Sequence, residues 1–464
     1  MQQLLKQFLT PIWVFLLLGG VVSTTLGQYS RGNSPYSRYG LGDLRSNMFA
    51  ANSSMSGGLA ATYRSYWDIN LTNPASLGKL RYTAFQVGID YQHSELSEKS
   101  TGLTAQADNG NLTYVSLAFP ITKSWEVMRD TLRRGVPLQW GMGFSLMPYS
   151  FVNYDVKVNR TVGSIPNVDF NYTGEGNKYR VNWSNGFTYK GISGGLNLGL
   201  LFGKVINRTL ITFKDPDYNL AFNNNFVNDE NAIGFVWDLG FQYEYVLKTK
   251  DRNPNAEANY SVDPKITIGV YAGGASNITT TSNQEFVRVG TTVDSIQSTT
   301  GVQGQLTMPV KIGGGISYGK ELGFTIGASY ESEFWSAFRR NGAVDANLKD
   351  AHRFAIGFQI IPDFADYTSY FNRIRYRAGI HYNLDPRAIV APDGNLYQLM
   401  DYGLSVGFGF PMRPPKAKSI LGFVNLGFDV GYLGHPELIN DVYFKVNLGF
   451  SLNASGWFSR AKFR

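Results

Sequence analysis

From Val442 to Asn453 the chain alternates strictly. Val442, Phe444, Val446, Leu448, Phe450 and Leu452 take one set of positions, and Tyr443, Lys445, Asn447, Gly449, Ser451 and Asn453 the other. A period of two puts successive side chains on opposite faces of a strand, and about ten such residues cross a bilayer when tilted. The pattern recurs upstream. Ile420, Val424, Leu426, Phe428, Val430 and Tyr432 oppose Asn425, Gly427, Asp429 and Gly431, and residues 398–410 set Met400, Leu404, Val406 and Phe408 against Asp401, Gly403, Ser405 and Gly407. Segments of the same character lie at 373–384, 351–361, 321–331, 304–319, 264–275, 233–247, 193–204, 180–190, 138–148, 111–119 and 82–92. Together they predict an all-β fold, a transmembrane antiparallel β-barrel of about 14 strands, the even number a single-chain outer-membrane barrel requires.

The second face decides against a soluble sheet. A soluble sandwich buries its apolar face and charges the other, whereas here the second face is mostly Gly, Ser, Asn and Thr, suited to a crowded lumen packed around something. Tyr397, Phe410, Tyr432 and Tyr443, near strand ends, fit interfacial girdles. With the amino end in the periplasm, the extracellular connections are 93–110, 149–179, 205–232, 276–303, 332–350, 385–397 and 433–441. Two of the periplasmic turns are very tight, at Gly191-Ile192 and Lys320.

Residues 28–81 break the pattern. They are rich in Gly, Ser and Asn and carry no sustained period, which predicts an irregular plug ahead of the barrel at 82–453. The preceding residues 1–27 read as a cleaved signal peptide. Lys6 gives the positive region, Ile12 to Val22 the apolar run, and Thr25 and Gly27 the small cleavage residues. Residues 454–464 form a basic tail, expected in the periplasm.

Composition narrows the chemistry. No cysteine excludes disulfides and thiolate sites. The net charge is +7 but only 17% of residues are charged, with no Lys/Arg run to track phosphates, so nucleic acid is not an expected partner. The histidines, His93, His352, His381 and His435, have no metal-ligand spacing. No catalytic residue, metal or cofactor is expected, and structural or loop roles are assigned to all four. Arg375 and Arg377 begin a strand from the periplasmic side. They are expected to meet the plug or its acids, Asp43 and Asp68, at the opposite end of the barrel from Arg353.

Met55-Ser56-Gly57-Gly58-Leu59-Ala60-Ala61, then Asp68, then Asn73-Pro74-Ala75-Ser76-Leu77 resemble the N-terminal signature of the FadL long-chain fatty-acid transporter family. The resemblance implies a 14-stranded outer-membrane barrel with a hatch in its lumen, and gives Gly57, Gly58, Asn73, Pro74, Ala75 and Leu77 as the hatch motif. The third strand, with Gly141, Gly143 and Pro148, looks like the family's kinked strand, where the wall opens laterally for an apolar substrate. A second reading of Pro148 is that it ends the spanning segment where a loop begins. Ser34-Pro35-Tyr36-Ser37-Arg38-Tyr39-Gly40 departs from classical members. Tyr36, Arg38 and Tyr39 are candidates to anchor the plug or to reach a periplasmic partner.

Two functions follow. One is passive uptake of hydrophobic compounds such as fatty acids, by hatch movement and lateral exit. The other is a structural accessory subunit of an outer-membrane protein assembly or secretion complex. The partners are outer-membrane lipids, with a hydrophobic ligand in the first case and the machinery in the second.

Overall fold

The computed structural model describes residues 34–99, 101–122, 137–218, 221–247, 263–274, 276–289, 293–366, 368–412 and 420–454. The segments assigned to the signal peptide and, apart from Ala454, to the carboxyl tail lie outside them. Fourteen antiparallel strands form a closed wall. The first are β2 (Thr83–Glu98) and β3 (Thr104–Pro120). Four long strands follow: β4 (Gln139–Val162), β5 (Ile165–Tyr189), β6 (Ile192–Phe213) and β7 (Asn223–Val246). The wall continues with β8 (Lys265–Gly273), β11 (Lys311–Gly319), β12 (Phe324–Glu333) and β15 (Ala351–Ile360). It ends with β16 (Arg375–Val390), β17 (Leu396–Met412), β18 (Ile420–Gly434) and β19 (Ile439–Ala454). Closure comes from β19 pairing along β2, from Ile439↔Glu98 to Ala454↔Thr83. The outward positions carry an exposed apolar belt, including Ile89, Leu200, Phe235, Ile316, Phe354, Leu404 and Val430. In water such a surface would be a liability, and in a bilayer it is the required one.

The extracellular connections differ from expectation. Residues 149–179, 205–232 and 276–303 read as loops, yet most of them are strand. β4 and β5 pair out to Val162↔Ile165, and β6 and β7 to Ile211↔Asn224. Two further strands, β9 (Asn277–Val289) and β10 (Val293–Thr307), continue β8 and β11 upward as a hairpin beside β7. Apolar alternation marks only the height that touches lipid. Above it, backbone pairing continues through segments where Asn, Thr and Asp are mixed with apolar residues such as Val152, Tyr154 and Val205, which cluster together. Two short strands, β13 (Arg339–Arg340) and β14 (Ala343–Val344), complete this crown.

Inside the wall sits the plug. Pro35–Arg38 is a 3₁₀ turn capped by Ser34, whose side chain accepts from Tyr36 N. The two-residue strand β1 (Asp43–Leu44) pairs with β4 at Phe151 and Ser150. After the short helix α1 (Ala50–Ser53), the chain passes Asp68 to a second 3₁₀ helix, Pro74–Lys79, at the periplasmic end.

The fit between plug and wall is backbone to backbone. From β4 round to β19, every wall strand brings a glycine against the plug. A Cβ at Gly141 would lie 2.1 Å from Leu77 O, one at Gly195 2.3 Å from Ala75 N, one at Gly240 2.1 Å from Asn73 Oδ1 and one at Gly379 2.2 Å from Met55 C. Many of these glycines are cross-strand partners, as in the rows Gly141↔Gly186↔Gly195↔Gly240 and Gly327↔Gly357↔Gly379. Adjacent glycines make a clean comparison, because a Cβ at Gly194 would meet nothing within 4 Å. Gly195→Ala is expected to destabilise the folded barrel by about 1–3 kcal/mol through overpacking, and Gly194→Ala to be near neutral. Urea midpoints of the purified variants, read by the mobility shift of folded barrel on unheated gels, check the difference.

Candidate functional site

Asn73 holds the plug to two wall strands at once. Its Oδ1 accepts from Ala75 N at 3.2 Å and so caps the 3₁₀ helix, with Pro74 in the first turn where a missing N–H costs nothing. Its Nδ2 lies within hydrogen-bond distance of Ala61 O at 2.9 Å, Phe241 O at 3.1 Å and Val270 O at 3.2 Å. Ala75 and Leu77 are buried with it, Leu77 against Ile69, Leu71 and Met147. Gly57 and Gly58 lie earlier in the plug, after the helix Ala50–Ser53. Gly57 has φ +78° and touches Met48, while Gly58 approaches Gly357 so closely that a Cβ would sit 2.0 Å from its nitrogen. The motif residues therefore converge on the plug–wall contact.

Ion pairs lock the same contact. At the periplasmic end Arg375 meets Asp68 at 2.6 Å, with both side chains at 3% exposure or less. Burial pushes the Asp68 carboxyl upward, but Arg375, Arg377 and a hydrogen bond from Tyr63 outweigh it and hold the group below its usual range. Arg377 also contacts the wall, through Gln359 and Asn425. Beside them Glu244 receives Lys79 at 3.0 Å, Arg64 at 3.4 Å and Lys265 at 3.4 Å, and Lys265 also reaches Glu321. Burial and the neighbouring Lys265 bring the Lys79 ammonium down to about 8 against the pull of Glu244. At the extracellular end Arg387 pairs with Asp43 and Asp385, and Arg353 donates to Ser56 O at 3.2 Å. Asp43 and Asp68 thus serve opposite ends of one plug.

Tyr36, Arg38 and Tyr39 sit at the extracellular end. Tyr36 is buried among Ile389, Ala391, Leu399 and Leu438 and donates its hydroxyl to Ile439 O. Tyr39 packs on the same cluster, and the Arg38 guanidinium lies 3.8 Å over the Tyr172 ring. This placement corrects the idea that they reach a periplasmic partner, because the crown and not the periplasmic mouth surrounds them.

Pro148 lies within β4, which runs on to Val162, so no loop begins there. The register with β5 shifts between Pro148 and Ser150, and pairing with β3 stops at Val115↔Leu146. Below the break, Gly141 faces Leu77 and a Cβ at Gly143 would stand 3.0 Å from that of Ala118.

The contacts of His381 are not legible in the sequence. Its Nδ1 is 3.3 Å from Ser56 Oγ, and its Nε2 is 3.5 Å from Asp401 and 3.2 Å from Tyr443 Oη. Ser56 has φ +51°. The set resembles a hydrolase triad without its electrophile clamp. The following N–H groups of Gly57 and Gly58 already donate to Asn52 O and Met55 O, and Ser56 Oγ shares a 2.7 Å bond with Ser405. These contacts fasten the plug.

Cavities flank it. One of about 300 Å³ opens on the extracellular side and is lined by Asp43, Arg353, His381, Arg387, Asp401, Asp441 and Lys445 among others. A second, of about 110 Å³, is lined by Leu44, Met48, Trp237 and Met308 together with the charged Arg180, Asp238, Lys311 and Glu331. Among the described residues no group of His, Asp and Glu is arranged to hold a metal.

Comparison with known proteins agrees with this architecture. A FadL homologue of Pseudomonas aeruginosa superposes with a TM-score of 0.56 at 11% identity, over 89% of this chain and 99% of that one. The toluene transporter TodX of P. putida gives 0.53 at 13% identity, over 87% and 97%. At these identities the likeness is one of fold. The curated proteins give no match. The BamG family model matches residues 5–464, and on that match this chain belongs to the BamG family.

Proposed function

We propose that this chain is an accessory subunit of an outer-membrane protein assembly machine, exported through a cleaved signal peptide, with its barrel as a membrane scaffold. The observation that carries the reading is the locked plug. Its backbone rests on glycine around most of the wall, and buried ion pairs fasten it at both ends. A hatch that must shift for each substrate would have to break those pairs. The larger cavity is lined by charge, whereas sites for hydrophobic ligands are mostly apolar. Membership of the BamG family also favours an assembly-machinery role.

A second reading, uptake of small hydrophobic compounds with lateral exit near Pro148, is favoured by one observation. The smaller cavity, with Leu44, Met48 and Trp237, adjoins Tyr149 next to the break in the wall. The fold neighbours include a toluene transporter.

Mild extraction from outer membranes separates the two. The scaffold reading expects stoichiometric outer-membrane partners and general membrane-protein assembly defects on depletion. Isolation as a lone monomer, with normal biogenesis in depleted cells, sinks it. The uptake reading expects Pro148→Ala to slow entry of small aromatics, and unchanged entry removes its support.

The lock itself is measurable. Asp68→Ala leaves Arg375 buried without its partner, and the expected loss is about 3–5 kcal/mol, read as a fall in the urea midpoint and new protease cleavage within the plug. The Asp68 carboxyl is held below its ordinary value of about 3.9, so its contribution is complete above that pH and is lost only as the pH falls through the lower folded value. Protease protection of the plug is therefore expected to survive acidification to about pH 5, and cleavage appearing at that pH would contradict the assignment.

A further inference from the structure

The cavity of about 300 Å³ on the extracellular side has an unbalanced lining. Its lysine and arginine side chains are already engaged. Arg387 holds Asp43 and Asp385, Arg353 donates to Ser56 O, and Arg45 and Lys445 both reach Asp90. The acceptors are less well served. Among the described residues Asn383 Oδ1, Asp429 Oδ1 and Asp441 Oδ1 are buried without a hydrogen-bond partner, against one such donor in the same lining, Arg45 Nε. An ionised carboxylate can only accept, and a buried acceptor left unmet is destabilising.

Strand register sets these groups out around the cavity. Asp441 is 1% exposed and lies on β19, level with Leu433 on β18 and, beyond it, Asp401 on β17. It takes a hydrogen bond from Ser94 but leaves Oδ1 without one. Asp401 is satisfied, accepting from Tyr443 Oη at 2.9 Å and from Asn383 Nδ2 at 2.7 Å. Asp429 has Lys445 as its cross-strand partner, yet Lys445 turns to Asp90 at 3.2 Å. Asp441 stands four residues along β19 from Lys445, so the levels of Asp441 and Asp429 are about 13 Å apart along the strands. Leu384, Leu433 and Met48 give the same lining apolar surface.

We propose that this cavity is a binding site for a small organic cation of the polyamine class, with one ammonium group on Asp441 and another on Asp429. An ammonium brings three donors and a positive charge, which is what a buried carboxylate oxygen without a partner needs. The methylenes between the ammonium groups pack on the Leu384 and Leu433 side chains. A directly ligated metal fits the lining less well, because among the described residues no group of His, Asp and Glu is arranged to hold one. A volume of about 300 Å³ also suits a small molecule rather than a bare ion. The plug supplies Asp43, Leu44 and Ser56 to the same lining, so the bound cation touches plug and wall together. The inference goes beyond the assembly-machine reading and does not depend on it.

The test is isothermal titration calorimetry of the purified folded barrel with spermidine, in an uncharged detergent. Expected is saturable binding that Asp441→Asn and Asp429→Asn each weaken about tenfold or more, the loss of one charge-assisted hydrogen bond. Asp217→Asn, at an exposed acid far along the chain from the cavity lining, is expected to leave binding unchanged. Propylamine, with a single ammonium, is expected to bind more weakly than spermidine by a similar factor. Absence of saturable binding, or binding that neither cavity variant alters, overturns the site. Equal affinity for propylamine overturns the two-ended ligand, and magnesium that saturates the site against excess spermidine overturns the ammonium class. Only variants that keep the folded-barrel gel shift are scored. Protease protection of the plug is the second readout: spermidine is expected to increase it in the unaltered barrel and not in Asp441→Asn, and an equal increase in both counts against the site.

Discussion

Contact between plug backbone and wall backbone governs this molecule. A lumen lined with ordinary side chains would hold the plug several ångströms from the strands and leave gaps to be filled by water or ligand. Removing the side chains, strand after strand, brings Met55, Ala61 and Pro74 onto the wall itself. Carbonyls on both sides then find donors across the interface, as Asn73 does for Phe241 and Val270. Close packing of this kind has a single register, because any sliding drives backbone into backbone. The ion pairs at the two ends add orientation to a position the glycines already fix.

Seen this way, similarity of fold and difference of role are compatible. A barrel with a plug is an architecture, and function lies in what the plug is free to do. Here modest cavities adjoin a segment fastened from Asp43 to Lys79. Among the described residues the pairing of β3 with β4 stops at Val115↔Leu146, beside the two strands, β2 and β3, that the glycine contacts pass over.

Much of the fold was legible because lipid imposes a period. The fourteen crossings announced themselves by outward Val, Leu, Ile and Phe, and the Gly-rich second face announced a packed lumen. The crown was not legible. Strands above the membrane obey backbone pairing alone, so Asn223-Asn224-Asn225 reads as loop and folds as the start of β7. At the site, the Asn-Pro-Ala turn stands out as a motif, while topology leaves Asp43 and Asp68 as alternative partners for Arg375, which meets Asp68. The triad-like contact of His381 with Ser56 did not, since those residues are brought together only by the depth at which the plug is seated. The extracellular position of Tyr36 was likewise hidden, because an irregular segment carries no period from which to judge its height.

Closure of the wall joins Thr83–Glu98 to Ile439–Ala454, the first and last wall strands of the chain. That pairing is the most non-local in the protein, and contacts so far apart in sequence form late. The plug precedes all of them and touches strands along nearly the whole circumference. It can therefore act as a mandrel, a preformed surface on which successive strands are laid before the cylinder is sealed. A glycine-rich contact then serves assembly as well as the finished state, since each strand can settle on the mandrel only in the register that brings its glycine to the plug.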